Sequence, residues 1–552
     1  MVESEVGQVR CRKADCVLFA LIVILILTIN LLSLDNNCYW GDDFAAYISE
    51  GISIADGYFD KQVKLNVLMH PSPLPDEAMR GSLVYVWGYP LLLALVYAIA
   101  GFDRVGFTSI IYYKLPSALA LALMAGVLYL FLRRRMGRAL SFTLSFLFCS
   151  CYEFRVSINS LYSDVVFLFF AVLSLYLAEV FLDAHTRRGA AGSTLIYGAL
   201  LGTALWFTYE TRLNGIAILF ACAAATIIYL IKRRREIDGK GALALLAPYI
   251  CFLLLKLVSE AVLAPATANT SDISDVTLHT VLGNLESYYY SLRQWLTLIV
   301  NDIITNRLNT YLPLLTNTGD DTYRVIGNFC TAFDRVCVSI VLLITLTGII
   351  TDGIRCNLHL TLFAVVYLTV VCMLPYNQGI RYIYPVIVLI PLYFGCALTR
   401  CGRLLAALFK GRGKRFWAGL SSALAALICT FTLVSALKGI DYARKNPELI
   451  IPDGPQDFYR MYAYTPCAIE TYNYITGSTP EDCVIGFIKP RALYLNTGRL
   501  SVRTDMNGHS LDEVDYLLCC AGVGEEQLTG EWRSRFTPVF SNAEFTLYEK
   551  LR

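Results

Sequence analysis

Two adjacent acids, Asp42 and Asp43, follow closely on the first apolar segment and are framed by Trp40, Phe44 and Tyr47. Carboxylates set just outside a bilayer are costly without a use. A positioned carboxylate is a common means of taking a proton from a hydroxyl nucleophile. The same two residues could instead cap the helix that follows, where acids favour the positive helix end. Beyond them Phe44, Tyr47, Ile48, Gly51, Ile52 and Ile54 recur at helical spacing, which predicts an amphipathic helix lying along the membrane interface. Further polar groups stand at the ends of later apolar segments: Tyr162-Ser163-Asp164, Tyr209-Glu210-Thr211-Arg212, and Arg381 beside Tyr382 and Tyr384. Taken singly, Asp164 reads as a helix cap, Glu210 and Arg212 as a local ion pair, and Arg381 as an interfacial anchor. Whether they form one site depends on which side of the membrane each reaches.

The elements that must position them are membrane helices. The chain has 552 residues, of which 56% are hydrophobic and 13% aromatic, and its mean hydropathy is +0.53. That composition belongs to an integral membrane protein. Apolar segments lie near 17–34, 84–101, 107–132, 139–155, 164–182, 193–208, 212–231, 241–264, 336–351, 357–376, 380–399 and 414–438. Arg10, Arg12 and Lys13 put the N-terminus inside. If 84–101 crossed, Arg133-Arg134-Arg135, Arg187-Arg188 and Lys232-Arg233-Arg234-Arg235 would all face outward; if it does not cross, all face the cytoplasm. Gly88-Tyr89-Pro90 near its start also suits a juxtamembrane or re-entrant helix. The expectation is therefore about eleven spans, a first outer loop at 36–106, a later one at 265–335, and an outer C-terminus. On that topology Asp42, Asp43, Asp164, Glu210, Arg212 and Arg381 gather at one depth on the outer face.

Other features narrow the function. A net charge of +2, with basic residues in short clusters between apolar runs, gives no reason to expect a nucleic-acid partner. Most cysteines lie within apolar segments and act as small hydrophobes; spacing leaves the pairing of Cys467, Cys483, Cys519 and Cys520 open. The N-terminal segment reads as a retained anchor, since no small-residue cleavage site follows its long apolar core. Lys256 and Glu260, four apart, neutralise each other on one helical face. The tyrosines at 288–290 make 265–335 an aromatic-rich loop, and His70, His279 and His509 show no pairing pattern. From about 440 the composition turns soluble. Strand-like runs at 483–488, 515–520 and 545–548, with helical stretches around 457–475 and 490–496, predict a small outer α/β domain at 440–552. It has no phosphate loop or nucleophile elbow.

With these residues in view, the chain resembles the GT-C superfamily of membrane glycosyltransferases, in the branch of the protein O-mannosyltransferases and bacterial aminoarabinose-type transferases. The likeness rests on Asp42-Asp43, Tyr47 and Gly51, Gly88-Tyr89-Pro90, Lys114-Leu115-Pro116, Tyr162-Ser163-Asp164, Arg381-Tyr382-Ile383-Tyr384-Pro385 and the stretch Ile488–Arg499. Asp43 stands where many relatives have Glu, and Lys114 where they often have Arg. The resemblance implies a catalytic domain over 1–439, a polyprenyl-phosphate sugar donor, and a lipid, glycan or protein acceptor at the outer face. Within it Asp42, with Asp43 beside it, would be the general base of an inverting transfer. Arg381, Arg212, Lys114 and Tyr382 would meet the donor phosphate, and Asp164 and Glu210 would bind the acceptor or a divalent cation. A glycan polymerase or ligase of the other membrane-transferase type, and a polytopic transporter or flippase, are the alternatives. A transporter would usually show internal repeats and helices broken near the midplane.

Overall fold

A computed structural model describes residues 13–38, 42–69, 85–103, 109–186, 191–263, 277–300, 320–353, 358–374, 379–408, 414–445, 463–504, 510–520, 528, 530 and 532–551. The first helix, α1 (Lys13–Ser33), leads into three helices of the first loop: α2 (Asp42–Ala55), α3 (Phe59–Met69) and α4 (Gly88–Ala100). Then come α5 (Ile110–Arg133), α6 (Arg138–Cys149), α7 (Tyr152–Asn159), α8 (Asp164–Thr186), α9 (Ala191–Thr211) and α10 (Ile216–Arg233). They are followed by α11 (Gly239–Ala244), α12 (Ala247–Val262), α13 (Leu278–Val300), α14 (Asp320–Gly348) and α15 (Leu358–Cys372). The helical region closes with α16 (Tyr384–Ile387), α17 (Leu389–Leu408) and α18 (Lys414–Lys445).

Every segment expected to cross has a helix in its place, and eight helical stretches are long and apolar enough to span a bilayer. The chain is an integral membrane protein. At 13 residues, α4 is about 20 Å long, short of the roughly 30 Å hydrocarbon core. The span expected at 139–155 is divided into α6 and α7 by Ser150 and Cys151.

The long helices carry charge at two opposite ends. At one end the buried Asp15 of α1 accepts from Tyr129 at 2.9 Å, Arg133 at 3.1 Å and Arg138 at 2.8 Å. Beside it Glu179 takes Arg135 and Arg134, and Asp183 takes Arg134. Lys114 and Asp164 stand at the far ends of the same helices, α5 and α8, about 22–30 Å away at 1.5 Å per residue.

The apolar side of α2 is covered by protein. Phe44, Ala45, Ile48, Glu50 and Ser53 are all fully buried, because α4 packs on one side and a helix of the C-terminal domain on the other. Gly51 permits the first contact: a Cβ there would sit 3.0 Å from Leu93 Cβ and 3.1 Å from the Pro90 carbonyl oxygen. Gly88 does the same for α4, since a Cβ on it would come within 2.6 Å of the Glu210 carbonyl at the end of α9. The first loop is thereby seated on the helix ends by absent side chains as much as by present ones.

The C-terminal domain contains α19 (Pro466–Ser478), β1 (Val484–Gly486), α20 (Pro490–Thr497), β2 (Leu500–Val502), β3 (Tyr516–Cys520), α21 (Trp532–Arg535), β4 (Phe536–Ser541) and β5 (Phe545–Lys550). Its sheet runs β2-β1-β3-β5-β4, with β2, β1 and β3 parallel and β5 antiparallel to both neighbours. The three expected strands are β1, β3 and β5. The first described helix begins at Pro466, and 446–462, with the helix start expected near 457, lie outside the described residues. Among the described residues Cys467 and Cys483 take part in no disulfide. The domain is tied to the first loop by backbone bonds, Ala463 N–H to the Cys38 carbonyl at 2.7 Å and Arg503 N–H to the Met69 carbonyl at 3.1 Å.

Candidate active site

Four charged groups from distant parts of the chain meet where α2, α8, α9 and the turn before α16 come together. Asp164 is the first residue of α8 and is buried. The turn that delivers it holds Leu161 at a φ of 54°, a left-handed conformation that costs a leucine about 1–3 kcal/mol. That conformation is held by burial of Leu161 and by Tyr47, whose hydroxyl is 3.0 Å from Ser163 Oγ. Arg212, in the extended link after α9, donates to Asp164 Oδ1 at 2.5 Å and lies 4.4 Å from the centre of the Tyr382 ring. Arg381 comes from the 3-10 turn Ile380–Ile383. Its guanidinium covers the Tyr162 ring at 4.5 Å and also faces Tyr382 at 5.6 Å.

Arg381 lies between two acids and touches neither closely: Nη1 is 3.9 Å from Asp164 Oδ2 and 4.0 Å from Asp43 Oδ2. Asp43, the second residue of α2, accepts a 2.6 Å hydrogen bond from the Tyr85 hydroxyl. Tyr85 packs its ring on Tyr47 at 4.4 Å, and its backbone N–H donates to Glu50 Oε1 at 3.2 Å. Burial, reinforced by the Asp43 charge, pushes the phenols of Tyr47 and Tyr85 up, so both remain neutral. Burial also pushes the Glu50 carboxyl up to about 8, against the pull of the Tyr85 N–H, Arg491 and Asn66. Two carboxylates and two guanidiniums balance in charge. Arg212 is locked to Asp164, whereas Arg381 is more loosely held and 27% exposed. Such a centre suits an incoming anion beside a carboxylate.

Asp43, Asp164, Arg212, Arg381 and Tyr382, all marked from the sequence, are brought together here. The side chain of Asp42 lies outside the described residues, as do His70 and His509. Two expected members stand elsewhere. Lys114 is completely buried and directs its Nζ to the Asp35 carbonyl at 2.8 Å, Asp35 Oδ1 at 2.6 Å, the Asn37 carbonyl at 2.5 Å and Asn159 Oδ1 at 3.2 Å. It pins the start of the first loop and has no bond to spare for a phosphate. Glu210 forms no local pair with Arg212; it is buried 3.2 Å from Lys256, which also takes Glu260 at 3.1 Å. Tyr85 and Glu50 were not anticipated as part of this surrounding. Glu50 left one signal: it is an acid seven residues after Asp43 on a helix otherwise lined with apolar groups.

A divalent cation finds no three-ligand site, since no three His, Cys, Asp or Glu side chains converge among the described residues. Asp43 and Asp164 face guanidiniums instead.

No protein-family model and no curated protein matches the sequence. Solved structures do match the fold. ArnT from Cupriavidus metallidurans in its apo state superposes with a TM-score of 0.53 at 14% identity, covering 97% of this chain and 98% of that one. The oligosaccharyltransferase AglB from Archaeoglobus fulgidus, in complex with an inhibitory peptide and a dolichol-phosphate, gives 0.52 at 11% identity over 92% of this chain and 69% of that one. The same oligosaccharyltransferase in a complex with Zn and sulfate gives 0.52 at 13% identity, over 91% and 68%. From its first membrane helix to its C-terminal sheet, this chain shares the fold of these structures, the GT-C fold that its residue motifs implied.

Proposed function

We propose that this protein transfers a sugar from a polyprenyl-phosphate donor to an acceptor hydroxyl at the outer face of the membrane. The observation that carries the proposal is Arg381, held about 4 Å from both Asp43 and Asp164 at one end of the membrane helices. The dolichol-phosphate bound by AglB, which shares the fold, supports a lipid phosphate as the group that Arg381 meets. The positive-inside distribution of Arg133–Arg135 and Lys232–Arg235 supports an outward orientation for this end and for the C-terminal domain.

The reaction follows from these groups. A carboxylate of the Asp42–Asp43 pair takes the acceptor's hydroxyl proton, and the oxygen attacks the anomeric carbon from the side opposite the phosphate. The bond from that carbon to the phosphate oxygen breaks, polyprenyl phosphate leaves, and the configuration inverts. A phosphate needs no general acid to leave; it needs positive charge where its own negative charge grows. Arg381 supplies that charge, and Arg212, stacked on Tyr382, supports it from behind. Asp164 holds Arg212 in place and offsets part of the charge of Arg381 until the phosphate arrives.

The test uses purified protein in lipid nanodiscs with a panel of undecaprenyl-phosphate hexoses and pentoses. Asp42→Asn and Asp43→Asn each retain a helix-capping side chain, and the variant that removes the base loses at least about 100-fold in turnover. Donor binding is kept in that variant. Arg381→Ala loses both binding and turnover. Near-normal transfer by both Asn variants would leave the proposal without its base.

A further inference from the structure

The C-terminal domain has no catalytic constellation of its own, yet one of its arginines reaches the surroundings of the candidate base. Arg491 lies in the first turn of α20, which packs against α2, and only 6% of it is exposed. Its guanidinium lies over the Tyr85 ring, 5.8 Å from the centre, within cation–π range. Tyr85 is thus fixed at three points. Its ring is packed by Tyr47 at 4.4 Å as well as faced by Arg491. Its N–H is held by Glu50, and its hydroxyl ends on Asp43. Glu50 is itself fixed by Asn66, whose amide donates to Oε1 at 3.1 Å and accepts from Gln62 at 3.0 Å. Glu50 Oε2 is buried with no hydrogen-bond partner among the described residues, and Arg491 is a cation near enough to pull this carboxyl toward its charged form against that burial.

We propose that Arg491 is a positioning residue for Asp43, acting from the C-terminal domain through Tyr85, with Glu50 fixing the other side of the same tyrosine. The proposal rests on the transfer reading only for its consequence in turnover; the positioning itself is a property of Asp43. Arg491 makes the docking of the outer domain a condition for setting the carboxylate, and so links acceptor-side structure to the chemistry.

The experiment measures both. Asp43 is labelled with a carbodiimide and glycine ethyl ester across pH 4–8 in the full-length protein, and modification is quantified by mass spectrometry. Tyr85→Phe removes the hydroxyl that occupies the Asp43 carboxylate, so Asp43 is freer to meet the reagent and labels roughly 3- to 10-fold faster. Arg491→Met gives an increase in the same direction, the double variant gives no more than Tyr85→Phe alone, and Arg491→Lys restores part of the wild-type profile. Turnover of the undecaprenyl-phosphate panel falls with the labelling change, whereas binding of undecaprenyl phosphate stays within about twofold. Only monodisperse protein is scored, which removes loss of folding from the comparison. Unchanged Asp43 labelling in Arg491→Met, or effects of the two substitutions that add, would overturn the positioning role. The labelling shift in a wild type that turns over none of the panel would retain that role and reject the transfer reading instead.

Discussion

Replacing Asp164 with Asn should make the protein less stable and its hold on phosphate stronger. The carboxylate is 2% exposed and pairs at 2.5 Å with Arg212, itself only 15% exposed. Breaking one side of a buried pair costs about 3–5 kcal/mol, and an amide oxygen that still accepts from Arg212 brings this to about 2–3 kcal/mol. The same substitution removes one of the two negative charges holding Arg381. At 3.9 Å that attraction is about 4 kcal/mol with an effective dielectric of about 20. Solvent at the 27% exposed guanidinium leaves on the order of 1 kcal/mol. The freed charge should tighten binding of undecaprenyl phosphate by roughly tenfold, an effect that fades as salt rises. Thermal melts and titrations on the same nanodisc sample measure both quantities. Weaker phosphate binding by folded Asp164→Asn would refute the reasoning, because Asp164 would then be holding the ligand, directly or through a cation.

Three further outcomes are expected. Lys114→Met should lower stability by roughly 3 kcal/mol, seen as a fall in melting temperature, while the protein that stays folded binds undecaprenyl phosphate as wild type does. Glu50 stays protonated in the folded protein up to about pH 8, whereas an unfolded glutamate ionises from about 4.3 upward. The folded state therefore binds the extra proton between those values, and stability falls as pH rises from about 4.3 to about 8. Glu50→Gln should lack that part of the slope in melts taken at pH 5, 6.5 and 8. Cysteines placed near Arg134 and Arg234 should react with membrane-impermeant reagents only in inverted vesicles, and one placed near Tyr474 only in intact cells. Labelling near Arg134 in intact cells would reverse the proposed outward face.

The spans and the convergence of Asp43, Asp164, Arg212 and Arg381 were legible because hydropathy and basic clusters report which end of each helix lies where. Depth is encoded locally, and depth was enough to collect these four. Pairing is not local. Lys114 had the right depth, but its partners Asp35, Asn37 and Asn159 are 45–79 residues away, so nothing in its neighbourhood showed it to be occupied. Glu210 was likewise nearer in sequence to Arg212 than to Lys256, which the packing of α9 on α12 brings to it. The periodicity of α2 was correctly helical, yet its environment came from α20, more than 400 residues later. In the C-terminal sheet, β2 has only three residues and β4 contains Pro538 at an irregular register, so neither shows a clean alternation.

The clasp between the first loop and the last domain also sets an order of biosynthesis. Asn37 accepts from the backbone of Tyr464, 427 positions later, and Met69 from Arg503. At 5–20 residues per second, a ribosome needs roughly 20–85 s to make the intervening chain. Throughout that interval α2 has left the membrane without the helix that will cover it, and Glu50 is still open to water. Nascent protein is therefore exposed at its N-terminal loop until its final quarter emerges. A chain terminated before residue 463 would keep its membrane helices and lose the cover over Phe44 and Glu50, leaving that loop to chaperones and proteases.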